Sequence, residues 1–249
     1  AAACVGQRAV MTARWNATAS VARKEVRSLL RRALRPRTGR RALAATTDRR
    51  AVLHEALRLF DAGAAAGLAL HDRETTTLVV SACCLPGSPW YGEHLSRALG
   101  VFERFWSANE LDPRMRLDTE DDGGSSSMLP TCAHPGCGAV ASHGSAIDGL
   151  ARSCVVHRTT ADAPLGLHTT ALLALADCCL ERGGMLRYCA RLLEHGLKRE
   201  PYDWGAADAE SVLYALTRFF SACQLAKTVP DEALRLLAPL LDPALHDPA

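Results

Sequence analysis

Apolar residues recur along this chain at the three-to-four-residue spacing of a single helix face. Leu53, Leu57, Phe60 and Ala64 fall at i, i+4, i+7 and i+11, and Leu95, Leu99, Phe102 and Trp106 repeat that spacing. Leu186, Cys189, Leu193 and Leu197 also keep to one face. These series carry related five-residue blocks, ALRLF at 56–60, ALGVF at 98–102 and CARLL at 189–193, and a fourth block, ALRLL, lies at 233–237. The block starts are separated by 42, 91 and 44 residues, so the middle interval is one repeat plus an insertion. A second apolar run precedes each of the last three blocks, at 75–85, 170–180 and 212–223. The first two of these runs share Cys-Cys-Leu at an offset of 95 residues. Pro86-Gly87-Ser88-Pro89 and Arg182-Gly183-Gly184 supply turns between the paired runs. The repeating unit is therefore helix, turn, helix. One such hairpin cannot bury both of its faces, so hairpins are expected to stack.

The expected fold is all-α: stacked helical hairpins forming an α-solenoid, with a small zinc-bound insertion protruding between the second and third repeats. No sheet of three or more strands is expected. The chain divides into a basic N-terminal arm at 1–50, helical repeats at 51–113, a linker and zinc-binding insertion at 114–167, and helical repeats at 168–249. Abundant Ala and Leu with few aromatics favour packed helices over sheets.

The insertion changes the chemistry. Cys132, Cys137, Cys154 and His157 follow the spacing C-x4-C-x16-C-x2-H. Thiolates and imidazole suit Zn²⁺, which takes a closed tetrahedral set in structural sites. Each short-spaced pair can form a local knuckle, with Pro135-Gly136 and Gly138 supplying tight turns. His134 and His143 are substitute ligands. Little apolar material lies here, so metal is expected to provide most of the folding free energy of the segment. Four ligands leave no open coordination position, and there is no HExxH, phosphate-binding glycine loop or G-x-S-x-G, so the zinc is read as structural and the chain as not an enzyme. Of the ten cysteines, Cys83-Cys84 and Cys178-Cys179 lie in apolar helical runs and are read as small buried hydrophobes in a reducing compartment.

Charge adds a third feature. Residues 1–50 carry a net +11 while the rest of the chain carries −9. Arg23, Lys24, Arg27, Arg31, Arg32, Arg35, Arg37, Arg40 and Arg41 are candidate RNA-binding residues. Val26, Leu30 and Leu34 share one face, so Val21 to Leu34 is expected to form a helix docked by a thin apolar stripe, with basic side chains outward. Pro36 ends it, and Arg37 to Arg41 continue extended. Guanidinium groups match phosphate geometry, so contacts to backbone phosphates are expected rather than to base edges. An Arg-rich, acid-poor segment also fits a mitochondrial targeting sequence, and both readings stay open. No apolar stretch is long enough to predict a membrane span.

Two resemblances follow. TTTLVVSACC (75–84) followed by RALGVFERFWSANELDPR (97–114) resembles a pentatricopeptide repeat, and EALRLFDAGAAAGLALHDRE (55–74) resembles a second helix of the same kind. The repeat here is longer than in that family. The cysteine–histidine spacing, with Gly136, Gly144 and Arg152, is similar to a short cysteine-rich motif common in algal proteins, which implies metal binding. The repeat resemblance implies RNA binding in an organelle. Base reading in that family uses a polar residue near the start of the first helix. Thr76 or Thr77 stands there in one repeat but Ala171 or Leu172 in the next, so sequence reading is not expected. The expected function is a non-catalytic structural subunit of a mitochondrial ribosome, located in the matrix, with ribosomal RNA and neighbouring proteins as partners and no small-molecule substrate. The alternatives are an organellar RNA-processing or stability factor, or an accessory scaffold subunit of a respiratory or ATP-synthase complex.

Overall fold

A computed structural model describes residues 2–35, 42–106, 132–139, 141–183, 185–197 and 206–227. Among these residues there are seven α-helices and three short strands. The helices are α1 (Ala2–Leu34), α2 (Ala42–Ala65), α3 (Arg73–Cys83), α4 (Leu95–Trp106), α5 (Thr169–Gly183), α6 (Leu186–Leu197) and α7 (Ala206–Ala226). The strands are β1 (His143–Gly144), β2 (Ala151–Ser153) and β3 (Ala163–Pro164).

The chain forms two compact units. One comprises residues 1–82 and 100–167, the other residues 83–99 and 168–249. The segment read as one helical hairpin, 75–106, thus contributes to both. The insertion belongs to the first unit.

In the first unit α1 packs against α2. Ala19, Val26, Leu30 and Ala33 lie at i, i+7, i+11 and i+14 on α1, and all are buried. The helix runs 33 residues, well beyond the expected Val21 start. It ends at Leu34, two residues before Pro36, whose ring disfavours helical backbone at Arg35. Helix α2 crosses residue 50 and buries Leu53, Ala56, Leu57 and Phe60. Gly67 closes it with φ +73°, and the Leu68 N–H donates to the Gly63 carbonyl at 2.9 Å, the bond of a Schellman cap. Asp72 caps α3: its carboxylate accepts the Thr75 N–H at 3.2 Å and the Thr75 hydroxyl at 2.8 Å.

In the second unit α5, α6 and α7 pack on one another. Leu172, Leu175, Cys178 and Cys179 of α5, Cys189, Leu192 and Leu193 of α6, and Val212, Phe219 and Cys223 of α7 are all buried. Arg218 reaches from α7 to Asp177 at 3.0 Å and Glu181 at 3.2 Å on α5. That partly exposed pair is a small addition to the apolar burial.

The expectation of no three-stranded sheet is corrected: β1 is flanked by β2 and β3 in one antiparallel sheet of order β2-β1-β3. His143 pairs with Ser153 and Pro164, and Gly144 with Ala151 and Ala163. The sheet lies wholly inside the insertion, where no apolar periodicity announces it because its strands are two or three residues long. Pro164 sits on an edge strand, where its missing N–H costs least. Gly144 is required by packing, since a Cβ there would strike the Leu150 carbonyl oxygen. The fold is therefore mostly helical rather than purely α.

Candidate metal centre

Two backbone turns present the sulfur atoms. In the first, the Cys132 N–H donates to the Ala139 carbonyl at 2.9 Å and the Cys137 N–H to the His134 carbonyl at 3.0 Å. Gly136 takes φ +77° between them, a backbone state costly for any residue with a side chain. Cys154 directly follows β2 and leads into the second turn, Val155–His157, which ends on His157. The Ala133 N–H donates to the Arg152 carbonyl at 2.8 Å and so fastens the first knuckle to β2. Beneath, Ala141, Ala151 and Leu165 form a small apolar cluster.

The four side chains converge. Ligand atoms of Cys132, Cys137, Cys154 and His157 all lie within 4.8 Å of one another. Cys137 Sγ is 3.9 Å from Cys154 Sγ. His157 turns Nδ1 to Cys154 Sγ at 3.3 Å and to Cys132 Sγ at 3.6 Å. A tetrahedral zinc with bonds of about 2.3 Å to sulfur and about 2.0 Å to nitrogen would require S···S edges of about 3.8 Å and S···N edges of about 3.5 Å. The donor set therefore fits a tetrahedral ion with little adjustment, and Nδ1 is the nitrogen that would face it.

The surroundings favour thiolate. The backbone N–H of His134 points at Cys132 Sγ, and together with the Cys154 N–H and the His157 ring it lowers the Cys132 thiol to about 6. A hydrogen bond to the charged form is the general cause. Cys137 receives an N–H from Ala139, which lowers it, but burial and the neighbouring Cys132 and Cys154 sulfurs leave it raised. A cation at the centre would remove that conflict, because a coordinating thiol is deprotonated outright.

The two substitute ligands separate clearly. His134 stacks on His157 with ring centroids 4.0 Å apart and planes 4° from parallel. Its lone pairs lie in a plane parallel to that of His157, so it cannot reach an ion held in the His157 plane without turning. It shields the ligand instead. His143 is buried in β1 with both nitrogens engaged. Arg158 donates to Nε2 at 3.2 Å, and arginine cannot accept, so Nδ1 carries the proton toward Ser142 Oγ at 2.9 Å. Burial and the Arg158 and Arg73 charges lower its pKa. Asp162 completes this polar layer, accepting from Ser153 Oγ at 3.1 Å and the Thr159 N–H at 2.8 Å.

The nine cations of the arm part company. Arg27 donates to Asp72 at 2.5 Å, to Thr75 Oγ1 at 2.9 Å and to Glu74, and Arg31 also pairs with Glu74. Arg23, Lys24, Arg32 and Arg35 make no such pairs among the described residues. Lys24 and Arg32 are exposed on the side of α1 away from Val26 and Leu30, and Arg35 is exposed just past its end. Arg37, Arg40 and Arg41 lie outside the described residues. The sequence reading missed that Asp72 and Glu74 hold two of these cations. The signal was present as Asp-x-x-Thr before an apolar run, which marks a helix N-cap but does not name its long-range partner.

Among the described residues no helix is long and apolar enough to cross a membrane. No protein-family model, curated protein or solved structure matches the chain.

Proposed function

We propose that the chain is a non-catalytic scaffold, braced by one structural zinc, that serves as a subunit of a mitochondrial ribosome. In this reading Cys132, Cys137, Cys154 and His157 hold the ion and α1 lies against ribosomal RNA. The runs at 75–106 and 169–197 are divergent helical-hairpin repeats of pentatricopeptide type, stacked as a scaffold for neighbouring proteins.

The observation that carries the RNA contact is the two-sidedness of α1. Its apolar stripe is buried, while Lys24 and Arg32 are exposed on the opposite side and Arg35 is exposed just past the helix end. Cations held along a helix, with no carboxylate partner among the described residues, suit a phosphate backbone, and contacts of that kind position without reading bases.

Deleting the arm would strip the buried Val26, Leu30 and Ala33 and unsettle α2, so surface substitutions are the sharper test. The variant Lys24→Gln, Arg32→Gln, Arg35→Gln keeps the buried stripe. Three lost phosphate contacts should flatten the log–log salt dependence of single-stranded RNA affinity by roughly 2. The tagged variant should also leave the ribosomal fraction in sedimentation. An unchanged slope and unchanged sedimentation contradict the RNA reading. Sedimentation of the intact protein with a membrane complex would favour the respiratory or ATP-synthase alternative.

A further inference from the structure

Residues 71–76 close the loop after α2 and form the first turn of α3, and their hydrogen bonds go to two sides. The His71 N–H donates to the Ala146 carbonyl at 2.8 Å and Arg73 Nε to the Leu165 carbonyl at 2.9 Å, while the Thr76 hydroxyl lies 2.9 Å from both the Gly166 and the Asp72 carbonyls. The Ala146, Leu165 and Gly166 carbonyls belong to the insertion, in the loops that flank its sheet. Gly149 of the same module lies so close that a Cβ there would sit 3.0 Å from the His71 side chain. The intervening residues face the other way. Asp72, Glu74 and Thr75 take the guanidinium groups of Arg27 and Arg31 on α1.

We infer that this six-residue segment couples occupancy of the cysteine–histidine site to the placement of α1. Asp72 and Arg27 are the positioning residues. The physical chain is short. A metal fixes Cys132, Cys137, Cys154 and His157, and through the Ala133–Arg152 bond it fixes β2. The sheet then sets the carbonyls of Ala146, Leu165 and Gly166. Those acceptors hold the first turn of α3, and with it the Asp72 carboxylate, which is 9% exposed and is both the cap of α3 and the anchor of Arg27. Among its described residues the module has only a small apolar cluster of its own, so without metal its loops lose their order first. The three carbonyls are then no longer presented together, and the anchor for α1 loosens.

This rests on the metal reading and not on the RNA reading. Hydrogen exchange of the full-length chain tests it with and without one equivalent of Zn²⁺. Metal should slow exchange of the Val26–Leu34 amides at least tenfold, although no residue there is a ligand. In Arg27→Met, which keeps an apolar stem, those amides should exchange at the metal-free rate in both states while the module still takes up zinc. Asp72→Asn, which keeps an acceptor for the α3 cap, should retain part of the effect. Absence of metal uptake overturns both readings. Metal uptake with unchanged α1 exchange, or an Arg27→Met protein whose α1 still responds to metal, overturns the coupling alone.

Discussion

Cysteine does opposite work in the insertion and in the three-helix unit. In the insertion Cys132, Cys137 and Cys154 converge on His157, and backbone N–H groups bring the Cys132 thiol down to about 6. In α5 and α6, Cys178, Cys179 and Cys189 are buried among leucines, and burial pushes the Cys179 thiol up to about 12 and Cys189 higher still. The first group is prepared to be charged and the second to stay neutral. The residue type does not decide the role. The deciding factor is whether backbone donors and a histidine, or aliphatic side chains, surround the sulfur. Stability should follow the same division, with metal dominating one region and apolar packing the other.

The largest effect should come from removing one ligand. Cys154→Ser should abolish stoichiometric zinc uptake and with it the roughly 10 kcal/mol or more that a structural zinc contributes to such a module. Circular dichroism should show most helicity retained, and proteolysis should cut between 132 and 167. Loss of the α5–α7 helices in the same variant would break the division between the two regions. Phe219→Ala is the reciprocal test. Phe219 is fully buried in α7, so its loss should cost about 3–5 kcal/mol in chemical denaturation while zinc stoichiometry is unchanged.

Acid should act mainly through the insertion and its support. His71 is 4% exposed, its Nε2 has no partner among the described residues, and burial together with Arg104 lowers its pKa to about 4, against the opposing influence of Asp148 and Asp72. The unfolded chain binds this proton from about pH 6.5 downward while the folded chain resists until about pH 4. Stability present above pH 6.5 should therefore fall as the pH drops toward 4, by up to about 3 kcal/mol. His71→Phe should remove that component from the stability–pH curve measured with saturating zinc. A parallel curve in the variant would show that the acid response arises elsewhere. The smallest effect is expected from Cys179→Ala. It should cost about 1 kcal/mol from lost apolar burial and leave one zinc bound, and loss of zinc there would erase the distinction between the two sets of cysteines.

Much of this organisation was legible in the sequence because it rests on local periodicity and spacing. The helices α3, α4, α5 and α6 fall where the apolar repeats put them, although α5 runs on through Arg182 and Gly183, where the sequence predicts a turn. The four side chains of C-x4-C-x16-C-x2-H meet in space because two short spacings and one loop leave few other arrangements. What could not be read depends on distant partners. Strands as short as His143–Gly144 carry no alternation pattern, and they are set by side-chain bonds such as Ser153 to Asp162 and by Gly144 against Leu150. The pairing of Arg27 with Asp72 spans 45 residues and reassigns a cation that charge counting had placed on the outside. The block at 233–237 and the extended stretch Arg37 to Arg41 lie outside the described residues.

If one closed metal site organises the insertion, X-ray absorption of the zinc-loaded full-length chain will show it. One zinc per chain is expected, with three sulfur ligands at about 2.3 Å and one nitrogen at about 2.0 Å. In the Cys132→Ser variant the sulfur count should fall or the zinc be lost. A chain that takes up no zinc, a zinc shell dominated by oxygen, or a Cys132–Cys154 disulfide in the purified protein would contradict it.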